Sequence, residues 1–129
     1  MQNLKPETKR KSVLIVEDNE SLLNILQEKL ESLDIDVSRA NTGIQALTLV
    51  STSKPDLILL DIMLPGGMNG FDVLERLKKD TNLHSIPVII LTNLDSEQKT
   101  ALTIGAVDYI VKANLSIEEV VLKVKNHLK

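Results

Sequence analysis

Carboxylates follow two short apolar runs in this sequence of 129 residues. The run 57–60 ends directly in Asp61, and the run 13–16 ends in Glu17 and Asp18. A short apolar run bounded by turn residues predicts a strand that is buried on both faces. Acids at the carboxyl ends of such strands lie where open α/β folds place their ligands. For each motif taken alone, the alternative is a solvated acid that merely opens a loop.

Two other predicted strands end in side chains that can bind phosphoryl oxygens. Thr92 follows the apolar run 86–91, and Lys112 follows the run 107–111. Since parallel strands share one carboxyl edge, the topology brings these groups together with the carboxylates. Unbalanced carboxylates favour a cation, and their hard oxygens suit Mg²⁺ better than zinc. Neutralised acids leave Asp61 free to act as a nucleophile that forms an acyl phosphate, with Lys112 and Thr92 on the phosphoryl oxygens.

The composition predicts one globular domain and excludes several kinds of site. Hydrophobic residues make up 43% and charged residues 26% of the chain, which is usual for globular proteins. The absence of cysteine excludes disulfides and thiol chemistry. A net charge of −3, one Phe, one Tyr and no Trp argue against direct nucleic-acid binding by this domain. No apolar run approaches the roughly 18 residues of a membrane span.

The first residues, Met1 to Lys11, are polar and basic. They lack the apolar stretch of a secretory signal, so cytoplasmic localisation is the default expectation. We predict that residues 1–11 form a flexible arm and that residues 12–129 form the domain.

Hydrophobic spacing alternates along the domain between the periods of strands and helices. The predicted strands are 12–16, 34–38, 56–61, 86–91 and 107–111. The predicted helices cover 20–33, 44–53, a segment from 69 onward, a segment opened by a capping box at 95–98 and a segment opened by a capping box at 116–119. Strands that alternate with helical crossovers form a parallel sheet with helices on both faces.

The residues around these strand ends resemble the receiver domain of two-component response regulators, of the kind typified by chemotaxis regulators. The resemblance is carried by Val13–Glu20, Leu57–Gly70, Leu91–Thr92 and Asp108–Lys112, which occur in the family's order. It implies an α/β, flavodoxin-like three-layer sandwich with a five-stranded parallel sheet, in the order 2-1-3-4-5, and five helices. It also implies a signalling surface formed by helix 4, strand 5 and helix 5.

The resemblance assigns Asp61 as the phosphoacceptor. The phosphoryl group would come from a histidine kinase, a phosphotransfer protein or a small phosphodonor. Mg²⁺, with Mn²⁺ as an alternative, would be held by Glu17, Asp18, Asp61 and the backbone carbonyl of Met63. No turnover on an exogenous substrate is expected, so the domain is predicted not to be an enzyme in that sense.

The remaining roles implied by the resemblance belong to Thr92, Lys112 and Tyr109. Thr92 would swing onto the phosphoryl group, Lys112 would pair with one of its oxygens, and Tyr109 would change rotamer with Thr92. For Tyr109 a packed core residue is the alternative. Homodimerisation on phosphorylation is compatible with the pattern, whereas the downstream target or fused output domain is left open.

The sequence departs from the family pattern after the acceptor and after the lysine. Gly70 comes one residue later than usual, and Ala113 replaces the usual proline. A cis bond before a non-proline residue costs about 3 kcal/mol, and the state of the Lys112–Ala113 bond is left open. Met63 and Leu94 occupy positions that tune hydrolysis of the phosphoaspartate in the family. Because neither can position a water molecule, we predict a long-lived phosphoryl state.

Two other functions compete with a phosphorylation-switched receiver. An Asp-nucleophile phosphohydrolase of the haloacid-dehalogenase type would want a second acid two residues after the nucleophile, where this chain has Met63. A binding module of the same fold that does not use phosphate would have no need of the acid pair, Thr92 and Lys112.

Overall fold

Five strands alternate with five helices along the part of the chain that the computed structural model describes, residues 10–128. The strands are β1 (Ser12–Val16), β2 (Asp36–Ala40), β3 (Leu57–Leu60), β4 (Val88–Thr92) and β5 (Asp108–Val111). The helices are α1 (Glu20–Glu31), α2 (Gly43–Ser53), α3 (Gly70–Lys79), α4 (Gln98–Ile104) and α5 (Ile117–His127), and a 3₁₀ turn covers Lys112–Asn114.

The strands form one parallel sheet in the order β2-β1-β3-β4-β5. Val16 at the end of β1 pairs with Ala40 on one side and with Leu60 on the other. At the far edge Thr92 pairs with Val111. The predicted fold and strand order are therefore confirmed, and the strand ends that precede the candidate residues lie along one edge.

The sheet is covered on both faces, as the continuous apolar runs predict. Alternate residues of β3 enter two different core layers, because successive side chains of a strand point to opposite faces. Ile58 and Leu60 join the layer that contains side chains of α2 and α3, whereas Leu57 and Leu59 join the layer that contains side chains of α1 and α5. This burial fixes the direction of β3 and hence the place where it ends.

The second strand begins two residues later than predicted. The prediction of 34–38 was based on Ile35 and Val37, but Asp34 has a left-handed φ of 65° and Ile35 N–H donates to the Leu30 carbonyl. Ile35 is buried as part of the turn that ends α1, so β2 begins at Asp36, which pairs with Ser12.

The capping box predicted at 95–98 is also wrong. Glu97 is the N-cap of α4 and makes no side-chain capping hydrogen bond. Ser96 Oγ instead lies 3.3 Å from Glu97 Oε2. By contrast Ser116 caps α5 and accepts from Glu119 N–H at 3.4 Å, which is one of the two hydrogen bonds of the capping box predicted at 116–119.

Most of the predicted arm, residues 1–9, lies outside the described residues. Arg10 and Lys11, however, contact the start of β2. Arg10 Nε lies 3.1 Å from Asp36 Oδ1, and the Lys11 carbonyl accepts from Asp36 N–H at 2.8 Å. Within residues 10–128, no helix has the length and apolar character needed to cross a membrane.

Candidate functional site

Asp61 lies directly after β3 and is 4% exposed. Its backbone N–H donates to the Val16 carbonyl at 3.1 Å, which continues the sheet pairing by one residue. The two carboxylate oxygens have different partners. Oδ1 accepts from Met63 N–H at 3.1 Å, and Oδ2 accepts from Lys112 Nζ at 2.8 Å. The nucleophile predicted from the sequence is thus buried but held by two donors.

Glu17 and Asp18 continue the chain from β1 at the same edge. Glu17 is 1% exposed, and its backbone N–H donates to the Ala40 carbonyl at 2.9 Å. Its Oε2 accepts from Asn19 N–H at 3.0 Å. Oε1 lies 2.7 Å from Lys112 Nζ as an ion pair, but it is the one buried side-chain oxygen among residues 10–128 that no hydrogen bond of good geometry reaches.

The carboxylates of Glu17, Asp18 and Asp61 can together hold a divalent cation. One oxygen from each residue lies within 4.8 Å of the others. The donors are all hard oxygens, as Mg²⁺ prefers, and Asp18 is exposed, so waters can complete the coordination. Glu17 Oε1 is a buried oxygen that has Lys112 as its ion-pair partner but receives no hydrogen bond of good geometry. These observations fit a magnesium ion, and they bring together all three side chains that the sequence predicted as its ligands.

Lys112 reaches the acids from the first residue of the 3₁₀ turn after β5. None of the peptide bonds in residues 10–128 is cis, so the Lys112–Ala113 bond is trans. Burial alone would lower the pKa of Lys112, but the neighbouring carboxylates of Asp61 and Glu17 raise it above its ordinary value of 10.5. The residue therefore carries a positive charge at neutral pH and balances part of the charge of the acids.

Thr92 and Tyr109 both contact the backbone of one residue, Leu94. Thr92 is 0% exposed, and its Oγ1 lies 3.5 Å from Leu94 N–H, which is long for a hydrogen bond. The hydroxyl of Tyr109 donates to the Leu94 carbonyl. Burial raises the pKa of Tyr109, so the phenol keeps its proton and remains a donor. Sequence reasoning singled out the Leu94 side chain but gave no sign that its backbone joins these two residues.

Gly70 is a functional position that sequence reasoning noted only for its spacing. A Cβ atom at this residue would lie 2.2 Å from the Asp61 carbonyl oxygen and 2.7 Å from Ile62 Cα. The Gly70 N–H donates to the Ile62 carbonyl at 2.8 Å, and Asn69 and Asp72 form a reciprocal capping box. Because the start of α3 packs directly on the acceptor backbone, only glycine fits there.

The comparisons with known proteins agree with this geometry. The family model for the response regulator receiver domain matches residues 13–125. The chain belongs to the response regulator receiver domain family. The Bacillus subtilis alkaline phosphatase synthesis transcriptional regulatory protein PhoP is 39% identical over 121 residues, which are 92% of this chain and 49% of that protein. The Caulobacter vibrioides response regulator PleD is 39% identical over 102 residues, which are 78% of this chain and 22% of that protein.

Solved receiver structures share the fold of this receiver domain. The beryllofluoride-activated N-terminal receiver domain of Klebsiella pneumoniae RstA has a TM-score of 0.84 at 31% identity, over 92% of this chain and 99% of that chain. The receiver domain of the Francisella response regulator 1452 has a TM-score of 0.84 at 32% identity, over 92% of this chain and 97% of that chain. The chain spans about half the length of PhoP and less of PleD.

Proposed function

We propose that this receiver domain is switched by phosphorylation of Asp61. The observation that carries the proposal is the placement of Lys112 Nζ 2.8 Å from Asp61 Oδ2, beside the carboxylates of Glu17 and Asp18. A buried carboxylate that keeps an ammonium on one oxygen and a cation site beside it is suited to phosphoryl transfer. Catalysis of this transfer needs positioning and charge neutralisation more than covalent chemistry.

The proposed donor is a phosphohistidine of a cytoplasmic histidine kinase or phosphotransfer protein, or a small phosphodonor. A carboxylate oxygen of Asp61 forms the new bond to phosphorus while the bond from phosphorus to the imidazole nitrogen breaks. The ring, protonated at its other nitrogen, leaves as neutral histidine. Mg²⁺ or Mn²⁺, bound by the carboxylates and by the Met63 carbonyl, would neutralise negative charge on the transferred group. Lys112 would pair with one phosphoryl oxygen.

The signal would pass through Thr92 and Tyr109. A phosphoryl group on Asp61 would offer the Thr92 hydroxyl an anionic acceptor, whereas its present contact, in which Oγ1 accepts from Leu94 N–H, is long at 3.5 Å. Tyr109 donates to the carbonyl of the same residue, Leu94, so a movement of Thr92 changes the environment of both residues. We propose that α4, β5 and α5 form the surface that reads this change, and that phosphorylation favours a homodimer.

The test is a titration with Mg²⁺ and beryllofluoride, in which calorimetry measures binding and sedimentation measures the oligomeric state. We expect saturable binding that needs Mg²⁺ and that is lost in Asp61→Asn. Equal binding by Asp61→Asn, or no binding by the wild type, would instead favour a phosphate-independent binding module. A steady-state assay with a generic phosphate ester separates the third alternative, since turnover there would indicate a phosphohydrolase.

A further inference from the structure

Met68, in the loop after the acceptor, packs against Gly43 at the start of α2. We call residues 62–69, between β3 and α3, the acceptor loop. Met68 is half-buried and packs with side chains of the core layer under α2 and α3. A Cβ atom at Gly43, the first residue of α2, would lie 2.9 Å from Met68 Cγ and 3.0 Å from Val73 Cγ2. Met68 thus fills the space that any side chain at position 43 would need.

Helix propensity does not explain the glycine at this position. Alanine is a better helix former than glycine, and Thr42 already caps α2 by accepting from Gln45 N–H at 3.1 Å. Gly43 is buried, and its place in the sequence is explained by the volume that Met68 and Val73 occupy beside it. The contact is therefore complementary in shape, because the absence of a side chain at Gly43 leaves room for the large side chain of Met68.

The acceptor loop is least constrained at its two glycines. Gly66 and Gly67 have φ values of 91° and 87°, and a Cβ atom at Gly67 would meet nothing within 4 Å. On either side of them, Leu64 and Met68 pack against the same core layer. Met63 is 56% exposed, and its N–H donates to Asp61 Oδ1. Glycines allow many backbone conformations, so the packing of Met68 limits the conformations through which the loop can carry the Met63 backbone away from Asp61.

We propose that Met68 is a positioning residue for the metal site. By packing on Gly43 it holds the acceptor loop, and thereby keeps the Met63 backbone beside the carboxylate where the divalent cation binds. The inference rests on the proposed function, because that function includes the bound metal. The mobility of the loop, by contrast, can be measured in the metal-free chain.

Two measurements on the full chain test the proposal: Mg²⁺ affinity by calorimetry, and amide hydrogen exchange of Met63, Leu64, Gly66 and Gly67 without metal. We expect Met68→Ala to weaken Mg²⁺ binding about tenfold, the lower end of the loss seen when a group that orients a metal ligand is removed. Exchange in the loop should be faster. Met68→Leu should retain both properties, because a swap that conserves volume is tolerated in a core.

The partner residue provides the second half of the test. Gly43→Ala should displace Met68 and change both properties in the same direction. In the double variant with Met68→Ala the two losses should not add, since both act through one contact.

The control is Leu83→Ala, which removes a buried side chain of the same core layer outside the acceptor loop. It should lower the free energy of unfolding while leaving Mg²⁺ affinity and loop exchange unchanged. The proposal is overturned if Met68→Ala has wild-type affinity and exchange, or if Leu83→Ala changes both properties equally. If the wild type binds no Mg²⁺, the proposed function fails, whereas the exchange measurements still test whether Met68 holds the acceptor loop.

Discussion

At the scale of single residues, Lys112 balances the charge of the site. Its side chain is 14% exposed, between Glu17 and Asp61 side chains that are 1% and 5% exposed. Two buried carboxylates without a counter-charge would have to be desolvated and would repel each other. The ammonium group therefore supplies the counter-charge that holds the two carboxylates in place in the metal-free chain.

Replacing Lys112 by methionine should destabilise the metal-free chain. We expect a loss of about 3 kcal/mol, the lower end of the cost of removing one partner from a buried ion pair. Urea unfolding in the presence of a chelator measures it, and Mg²⁺ should restore part of the loss. Lys123→Met is the matched control, because its pair with Asp108 is more exposed and should contribute about 1 kcal/mol or less. Equal losses in the two variants would show that burial of the acids does not matter.

The lifetime of the phosphoryl group is a second prediction at this scale. Met63 is exposed beside Asp61, and Leu94 lies two residues after Thr92. Since neither side chain can hydrogen-bond a water molecule, we expect slow hydrolysis of phosphorylated Asp61. Label retention after radioactive phosphorylation measures the rate. Complete loss within seconds would contradict the prediction, and Met63→Gln with Leu94→Glu should shorten the lifetime.

At the scale of elements, the start of α3 determines the shape of the site. Gly70→Ala should place a Cβ atom against the Asp61 backbone and cost about 3 kcal/mol, the upper end of the usual cost of overpacking. Gly67→Ala is the matched glycine control, because it meets no neighbour and should cost only about 1 kcal/mol through its positive φ. Urea unfolding compares the two variants, and calorimetry should show weaker Mg²⁺ binding in Gly70→Ala. Similar losses in stability would exclude the close approach as the cause.

Element order could be predicted from the sequence because short continuous apolar runs alternate with segments of helical spacing. Glu17, Asp18, Asp61 and Lys112 could be placed together for the same reason, since each follows a strand of one parallel sheet. The exact start of β2 could not be predicted, because Ile35 looks like a strand residue but is buried in the turn after α1. Local spacing does not distinguish these two kinds of burial.

Contacts between loops were the other part that the sequence concealed. Leu94 joins Thr92 and Tyr109 through its backbone N–H and its carbonyl, which are backbone groups common to nearly all residue types. Likewise, the Lys112–Ala113 bond is trans, and Lys112 contacts the two acids from the first position of the 3₁₀ turn that follows β5. Neither feature has a residue pattern of its own.

At the scale of the whole molecule, Asp108 links β5 to α5 and makes stability depend on pH. Its carboxylate accepts from Tyr109 N–H at 2.9 Å and lies 3.2 Å from Lys123 Nζ and 3.4 Å from His127 Nε2. Burial alone would raise the pKa of Asp108, but these hydrogen bonds together lower it below its ordinary value of 3.8. The ionised carboxylate is therefore favoured by folding.

The lowered pKa of Asp108 gives a prediction for the stability of the chain at acid pH. The contribution of Asp108 should be fully present above its ordinary pKa and should be lost as the pH falls through the lower pKa of the folded chain. Asp108→Asn should thus be less stable than the wild type at neutral pH, and the difference should shrink as the pH falls below the ordinary value of 3.8. Urea midpoints across that range measure it. A difference that is independent of pH would show that the charge of Asp108 plays no part.

The ion pairs of Lys112 with Glu17 and Asp61 also bear on how the chain is made. The ribosome produces both acids long before it produces Lys112, which directly follows the last strand of the sheet. A nascent chain that ends before β5 holds the acids of the acceptor edge without their counter-charge and leaves β4 as an unpaired edge strand. Stable folding of this domain on the ribosome must therefore wait until nearly the whole chain has emerged, and chains that stop short of Lys112 should be recognised as unfolded.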